Sequence, residues 1–402
     1  MKKIVTVLAV LLVSLPAFAA DWSFYGSERV ATWYVSRDYG DSINAVNGDD
    51  NDAGTQWYFQ GNSRFGAKVK ADKVSGQVEL ATQASNNGNA GDGAVNTRRA
   101  FGVWQFSDNA WLKVGKDFSP VTDTLSNQVF DEDKDLYGEG NFYGKRPSGI
   151  TLGLGNFQLA LLNPQQGDTG GIGSSNSGIL NPITNPANVN FQNSTAAQTT
   201  ATGNPNVYLP KFEAAYKLSL GSGYIYPYAG FQWYQVKSFN TGTTNSQVTS
   251  DLDVISYVVG FSTSWNIGAF SIGGQLSYGQ NEGISGWANG YNNANSQLPV
   301  LKTGGDDIAN VHTIQAMIIP ALRVTDTLRF EAGLGYRQDN ADGAPGFSQK
   351  DDSWSGYIQA LITLAPGVYL IPEIGYIDFM DNRASNDEGY EWYAGAKWQI
   401  DF

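Results

Sequence analysis

The C-terminal residues 389–402 alternate between apolar and polar side chains almost without interruption, and this pattern restricts the possible folds more than any other feature of the chain. One face carries Tyr390, Trp392, Ala394, Ala396, Trp398, Ile400 and Phe402. The other face carries Glu391, Tyr393, Gly395, Lys397, Gln399 and Asp401. A period of two residues indicates a β-strand. An apolar, aromatic face backed by a charged face is typical of a barrel wall with lipid outside and water inside.

The N-terminal residues predict export. Two lysines precede an apolar run, residues 4–15, that is too short to span a bilayer. Ala17-Phe18-Ala19 then has the small-x-small spacing of a cleavage site. We therefore interpret residues 1–20 as a secretory signal peptide that is removed, and residues 21–402 as an outer-membrane β-barrel. A retained membrane anchor is the alternative.

Composition excludes several classes of function. The chain has 402 residues and no cysteine, so disulfides, thiol chemistry and cysteine-ligated metals are excluded. Its formal net charge is −13, and no basic patch is interleaved with aromatic residues on one face, which argues against binding to nucleic acid. We expect neither a cofactor nor a structural metal.

The same alternation recurs along the mature chain and predicts about sixteen strands. Their approximate spans are 22–36, 56–70, 73–84, 97–107, 110–117, 147–154, 156–163, 209–219, 224–238, 251–265, 268–281, 310–324, 327–340, 353–365, 368–380 and 389–402. The uncharged stretch 353–372 could be mistaken for a transmembrane helix. Its Ala365-Pro366-Gly367 centre and the alternation before that centre instead predict two strands joined by a tight turn.

The connections between these strands alternate in length. Long segments rich in Asn, Gly, Ser and Asp, such as 164–208, are followed by turns of a few residues, such as 366–367. Outer-membrane barrels have short periplasmic turns and long external loops, so both termini should be periplasmic. We predict an all-β fold, a transmembrane antiparallel up-and-down β-barrel. A barrel of sixteen to eighteen strands leaves an aqueous channel.

At this point the chain resembles the general porins of Gram-negative outer membranes. The resemblance rests on the signal peptide, the strand number, the C-terminal Phe402 and the passage 97–120, which contains TRRAFGVW and LKVGKDFSP. That passage is similar to the strand pair that leads into the third loop of the family, and Phe402 resembles the signal read by the outer-membrane assembly machinery. The resemblance implies a homotrimer of sixteen-stranded barrels in the outer-membrane lipid, each with a third loop that folds inward and narrows the pore.

The third loop (residues 118–146) is the densest acidic segment of the chain. Its carboxylates are Asp123, Asp131, Glu132, Asp133, Asp135 and Glu139. Basic residues lie beside it in the sequence or on the second strand: Arg64, Lys68, Arg98, Arg99, Lys113, Lys116, Lys145 and Arg146. If the loop enters the lumen, these groups face each other across the water path and produce a transverse field. The alternative is a solvated loop top.

Two strands do not show a clear pattern. In the fourth strand, Trp104 and Phe106 indicate one outward face, yet Phe101 and Val103 make the opposite face apolar as well. The first strand is similarly ambiguous between Glu28 and Arg29 as the inward residue. Contact with neighbouring subunits and with the inward loop would explain both strands, and so would a wrong assignment of the faces.

These observations predict a passive diffusion pore for small hydrophilic solutes and ions, not an enzyme, with a weak preference for cations. A channel selective for a sugar or an anion is the alternative, because the basic wall opposes the acidic loop. Two further alternatives are a barrel hydrolase and an adhesin. The only histidine, His312, shares the outward face of its strand, which does not suit a general base. The longest loop, 164–208, has the composition of a solvated cover.

A calcium site in the third loop is a separate possibility. Asp131-x-Asp133-x-Asp135 begins like an EF-hand loop, but the sixth position is Leu136 and the twelfth is Phe142. An EF-hand requires Gly and a bidentate Glu at these positions, so the segment is not an EF-hand. Calcium held by the clustered carboxylates is left open beside the simpler view that they are solvated.

Overall fold

The computed structural model describes residues 20–40, 51–82, 95–165, 176–180, 200–239, 247–287, 297–343, 350–383 and 385–402. All but the last residue of the expected signal peptide lie outside these ranges. Nearly all regular structure within them is β-strand, with one helical turn. No helix in these ranges is both long enough and apolar enough to cross a membrane.

The strands are numbered along the chain. They are β1 (Asp21–Asp38), β2 (Asn51–Phe59), β3 (Arg64–Ala71), β4 (Val74–Thr82), β5 (Val95–Ser107), β6 (Ala110–Lys116), β7 (Ser148–Leu154), β8 (Phe157–Leu162), β9 (Asn176–Leu180), β10 (Thr200–Thr202), β11 (Asn204–Asn206), β12 (Lys211–Tyr216), β13 (Leu218–Leu220), β14 (Gly223–Lys237), β15 (Leu252–Ile267), β16 (Phe270–Gln280), β17 (Val300–Leu301), β18 (Ile308–Ala309), β19 (Val311–Arg323), β20 (Leu328–Ala341), β21 (Lys350–Ala365), β22 (Val368–Asp378) and β23 (Tyr390–Asp401). The helical turn is α1 (Phe130–Asp133).

The strands form one closed antiparallel barrel. The first and last strands close it, with a register that runs from Ser27 opposite Asp401 to Asp38 opposite Tyr390. The wall is crossed 16 times, because β2 and β3 follow one line across it and β11, β12 and β13 follow another. The predicted fold class and strand number are therefore confirmed. Closure satisfies the backbone groups of every edge, as a membrane interior requires.

The chain end completes the seam of the barrel. The backbone N–H of Gly26 donates to the carbonyl of Phe402 at 2.7 Å, and the N–H of Phe402 donates to the carbonyl of Gly26 at 3.1 Å. The Phe402 ring covers Gly26, where a side chain would meet it. That Phe402 is also an assembly signal stays a prediction from the sequence.

Apolar side chains face outward along the strands. On β23, Trp398 is 49% exposed whereas the adjacent Lys397 is 4% exposed.

The stretch 353–372 forms β21 and β22 around a turn at Gly367, whose φ of 77° is readily available to glycine. The interpretation of this stretch as two strands is confirmed.

The fourth strand, whose pattern was unclear, contains a β-bulge before the ambiguous residues. Opposite β4, the register of β5 shifts so that Arg99 faces Glu79 while Thr97 faces Leu80, leaving Arg98 as the extra residue. Both arginines then reach partners inside the barrel: Arg98 contacts Glu79 at 3.0 Å, and Arg99 contacts Asp117 at 2.6 Å. A bulge re-aims a side chain in this way. Beyond the bulge the alternation continues: Trp104 is 54% exposed on the outer face, whereas the Phe101 ring faces inward under Arg99 and Lys113.

The structure also shows which of Glu28 and Arg29 faces inward on the first strand. Arg29 is buried inside the barrel, with 5% of its surface exposed, and Glu28 is exposed on the outer face.

Two long loops pack against each other at the barrel mouth. Strands β9 and β10 follow β8, whereas β17 and β18 precede β19, and together they form a separate four-stranded sheet. The sheet packs against the inner wall, and side chains from both form one buried apolar cluster. The members of the cluster are Ile179, Ala201, Tyr234, Val236, Val248, Leu252, Val254, Ile284, Leu298, Val300, Leu301, Ile308, Ala309, Val311 and Ala341. The described part of the longest loop is therefore packed, which differs from the solvated cover suggested by its composition.

We predict that two Arg substitutions on β21 will differ according to the face they occupy. Ile358 is 61% exposed on the outer face, and an arginine there should cost up to about 2–4 kcal/mol, the range for the lipid midplane. Leu361 on the same strand faces the lumen, so Leu361→Arg should cost less. Urea unfolding of both variants in lipid vesicles measures the difference. Equal destabilisation would contradict the assignment of the outer face.

Candidate functional site

The third loop enters the lumen from its first residues. Asp117, directly before it, accepts bonds from Arg99 and from Lys113, each at 2.6 Å. The loop then turns towards the opposite wall, where the Tyr226 hydroxyl donates to the carbonyl of Pro120 at 2.8 Å. Hydrogen bonds across the lumen confirm that the loop folds inward.

Three carboxylates on the inner wall accept hydrogen bonds from the loop backbone. Glu213 on β12 accepts from the N–H of Val121 at 3.3 Å, and Glu331 on β20 accepts from the N–H of Asn127 at 2.9 Å. Glu373 on β22 accepts from the N–H groups of Val129 and Phe130 at 2.7 and 3.2 Å. A loop inside a barrel lacks a strand partner, so these side chains satisfy backbone donors that would otherwise be unpaired.

The loop tip is α1, whose acidic residues have left-handed backbone angles. The φ values of Asp131, Glu132 and Asp133 are 45°, 63° and 65°. Short polar side chains tolerate this region better than most residues.

Contacts with the wall hold the tip in place. Asp133 forms ion pairs with Lys397 at 2.7 Å and with Arg29, and it accepts a bond from Asn62 at 2.7 Å. The N–H of Gly61, in the gap between β2 and β3, donates to Glu132 at 3.1 Å. The acidic tip is therefore docked on the basic wall, whereas the sequence analysis placed water between them.

The return leg of the loop lies against β20. Arg337 donates to the carbonyl of Gly138 at 2.7 Å. A side chain at Gly335 would collide with the backbone of Glu139, so glycine permits the loop to lie directly on the wall. Lys134 and Glu139 pair at 3.0 Å within the loop, and both are buried.

Two adjoining cavities remain in the lumen beside the loop. The larger has a volume of about 1200 Å³ and lies between the loop and a wall that includes β1, β3, β5 and β20 to β23. The smaller has a volume of about 630 Å³ and reaches the short turn between β15 and β16. Both are lined by Thr124, Asn127 and Arg329, so they meet at the loop.

The structure brings some of the expected site residues to the larger cavity and separates others from it. Its lining includes Asp131, Glu132, Asp133 and Asp135 among the acidic residues and Arg64, Arg98, Lys116 and Arg146 among the basic ones. Asp123, Glu139, Lys68, Arg99 and Lys113 do not line it. Asp123 instead accepts bonds from Tyr224, at 2.9 Å, and from Ser262. Lys68 lies over the Tyr25 ring, and Arg99 and Lys113 bind Asp117.

The sequence analysis omitted several charged residues of this lining from the candidate site. They are Arg29, Lys134, Arg329, Glu331, Lys397 and Asp401. Most of them occupy inward positions in the alternating pattern of their strands, so the sequence could predict that they face the lumen. It could not predict at which level along the barrel axis they lie. Lys145, which follows the acidic segment in the sequence, also lines the cavity.

Aromatic rings support the basic side of the cavity. The Phe118 ring lies between two guanidinium groups, with Arg146 at 4.2 Å and Arg99 at 5.4 Å from its centroid. Tyr137 and Tyr143 stack beside them with ring centroids 4.4 Å apart. Cation–π contacts of this kind hold arginine without neutralising its charge.

Burial changes the ionisation of the loop carboxylates. It raises the pKa of Asp135 well above the usual range, and the charge of Asp133 adds to this effect. Burial also raises the pKa of Glu132, although the hydrogen bond from Gly61 opposes the change. Both carboxyl groups therefore bind protons at a higher pH than exposed carboxyl groups do.

His312 lies on the outer surface. Its Nδ1 is 2.9 Å from the Tyr278 hydroxyl and its Nε2 is 3.0 Å from Asp342. The described residues contain no group of three His, Cys, Asp or Glu side chains arranged to hold a metal ion.

Comparisons with solved structures find barrels of similar fold. The outer membrane channel DcaP of Acinetobacter baumannii is 16% identical, with a TM-score of 0.61, and the match covers 95% of this chain and 97% of that one. OmpF of Salmonella typhi, solved with daunomycin, is 12% identical, with a TM-score of 0.56 and coverage of 96% and 99%. The anion-selective porin of Comamonas acidovorans is 13% identical, with a TM-score of 0.53 and coverage of 95% and 100%.

No protein-family model matches the chain, and no curated protein matches its sequence. The structural likeness shows the fold, which is that of outer-membrane porin barrels. The resemblance to porins in the sequence is therefore confirmed for the fold.

We predict that Asp133→Asn will loosen the loop tip. The change removes the charge that pairs with Lys397 and Arg29, and it should destabilise the docked tip by about 1–3 kcal/mol. Open-channel current noise should rise and amide hydrogen exchange at the tip should become faster.

Glu132→Gln is the matched control for this variant. Its amide oxygen can still accept the Gly61 N–H, so the tip should stay docked. If both variants had the same noise and exchange, the Asp133 ion pairs would not be what holds the tip.

Proposed function

We propose that this protein is a passive diffusion channel for small hydrophilic solutes and ions in the outer membrane. The observation that carries the proposal is the pair of adjoining cavities, which run beside the third loop to the short-turn end of the barrel and have charged and polar linings. A sixteen-stranded barrel is wide enough for such a passage. With the long loops outside, the short turns face the periplasm.

The rival classes gain less support from the structure. A hydrolase that uses histidine as its general base needs that residue near the substrate, and the only histidine lies on the outer face of the barrel. An adhesin needs its longest loop presented outward, whereas the described strands of that loop, β9 and β10, pack over the apolar cluster at the mouth.

The charges of the larger cavity favour anions over the cations expected from the sequence. Nine basic side chains line it: Arg29, Arg64, Arg98, Lys116, Lys134, Lys145, Arg146, Arg329 and Lys397. Six acidic side chains line it: Asp131, Glu132, Asp133, Asp135, Glu331 and Asp401. Charges that line a pore set its ion preference more directly than the net charge of the chain does. We therefore favour the anion-preferring alternative.

We also propose that the chain assembles as a homotrimer, as the resemblance to general porins implies. Glu28 is exposed on the outer face of β1, where a neighbouring subunit could shield its charge from lipid. The mass of the purified protein in detergent would measure the subunit number, and a monomer would contradict this proposal.

Single-channel recording tests the pore and its ion preference together. In a planar bilayer we expect stepwise ohmic currents, and in a KCl gradient we expect a reversal potential directed towards the chloride equilibrium potential. A folded barrel that conducts no current would contradict the channel. A potential directed towards the potassium equilibrium would restore the cation preference and contradict the anion proposal.

The anion preference should increase at lower pH. The raised pKa values of Glu132 and Asp135 mean that these carboxylates bind protons at a higher pH than exposed ones do, so their negative charge is lost first as the pH falls. Reversal potentials at about pH 8 and about pH 5 measure the change. The double variant Glu132→Gln/Asp135→Asn should be less sensitive to pH over this range. An identical response in both proteins would assign the titration to other groups.

A further inference from the structure

Two arginines lie directly opposite each other at the short-turn end of the barrel. The register of β19 and β20 pairs Arg323 with Arg329, and both residues have inward parity. Like charges at directly opposed positions of an antiparallel pair destabilise the sheet. The position is therefore unfavourable unless an opposite charge compensates it.

The chain supplies little of that compensation. Arg323 has no carboxylate at ion-pair distance among the described residues. Arg329 contacts Glu331 at 2.8 Å, but this carboxylate also accepts bonds from Asn127, Tyr357 and Gln359. Glu331 is thus shared between the loop and the wall.

The cavity beside these arginines has no acidic lining. Besides the two guanidinium groups, its described lining consists of uncharged residues, among them Thr124, Asn127, Ser264, Asn266 and Ser271. Several of them carry hydroxyl or amide groups that can donate hydrogen bonds. This cavity, here called the arginine vestibule, therefore offers donors and positive charge without a competing carboxylate in its lining.

The arginine vestibule continues the basic side of the larger cavity. Arg329 lines both cavities, so a solute that passes Arg98 and Arg146 next meets Arg329 and then Arg323. The two vestibule arginines thus extend the basic lining towards the short-turn end of the barrel.

We infer that the arginine vestibule is a binding site for oxyanions, occupied by phosphate or carboxylate groups of solutes as they cross the barrel. The inference rests on the proposed channel function and adds a solute class and a location to it. Guanidinium groups suit this ligand because their planar fork matches the oxygens of carboxylate and phosphate, which chloride lacks. Two guanidinium groups on adjacent strands can hold one oxyanion between them.

Inhibition of the KCl current by inorganic phosphate, added separately to each side of an oriented channel, tests the site. We expect inhibition at lower phosphate concentration from the short-turn side, and acetate should act in the same way through its carboxylate. Arg323→Gln should raise the half-inhibitory phosphate concentration about tenfold, as expected for the loss of one charge-assisted contact. Arg323→Lys keeps the charge but not the fork, so its effect should be intermediate.

Lys68→Gln is the matched control. Lys68 lies near the short turn that follows β3, over the Tyr25 ring, and it lines neither cavity. This variant removes the same charge and should leave phosphate inhibition unchanged. Equal effects of Arg323→Gln and Lys68→Gln would overturn the site in favour of a general charge effect.

The outcome for this site is distinguishable from that for the channel. A channel that conducts KCl without any effect of phosphate overturns the vestibule site and leaves the proposed channel intact. A protein that conducts no KCl overturns the channel itself.

Discussion

The structure depends on hydrogen bonds from the backbone of the third loop to three carboxylates on the inner wall. Glu213 comes from β12, whereas Glu331 on β20 and Glu373 on β22 flank Gln359 of β21 in one row. Each of the three accepts at least one loop N–H group. The energetic reason is the cost of leaving buried backbone donors unpaired. These contacts hold the loop across the lumen, and the remaining space is the proposed passage.

The charges of the loop have two roles, which the structure separates. Asp133 binds Arg29 and Lys397 and so fixes the tip, whereas Asp131, Glu132 and Asp135 add negative charge to the lining of the larger cavity. The basic groups of the lining outnumber the acidic ones because several wall arginines and lysines face the cavity while two loop carboxylates are held elsewhere. The net charge of the chain therefore does not predict the charge of the passage.

The barrel could be predicted well from the sequence. Successive residues of a strand face lipid and water in turn, so apolar and polar side chains alternate along it. The faces of β23 and the turn at Gly367 follow from period and turn chemistry alone. The alternation was unclear where apolar side chains also face inward, as at Phe101, whose ring lies under Arg99 and Lys113. The packed sheet of β9, β10, β17 and β18 was missed because its strands are short and pair across distant loops.

The lining of the candidate site was only partly predictable. Its loop and its basic wall follow from the sequence, but the individual residues depend on how the loop docks. Tyr224 donates a hydrogen bond to Asp123, and Lys134 forms an ion pair with Glu139. The spacing of these residues in the sequence does not predict either contact. Arg29 was ambiguous because its neighbour Glu28 is also charged, so polarity could not show which of the two faces inward.

The central claim is that solutes pass beside the third loop, through the point where the two cavities meet. Thr124 lines both cavities, and the chain has no cysteine, so a single introduced cysteine can be labelled without background. The most direct measurement is the current through Thr124→Cys during reaction with a bulky, membrane-impermeant thiol reagent. The account predicts a stepwise loss of current as each channel is labelled. Complete labelling without a change in current would contradict it.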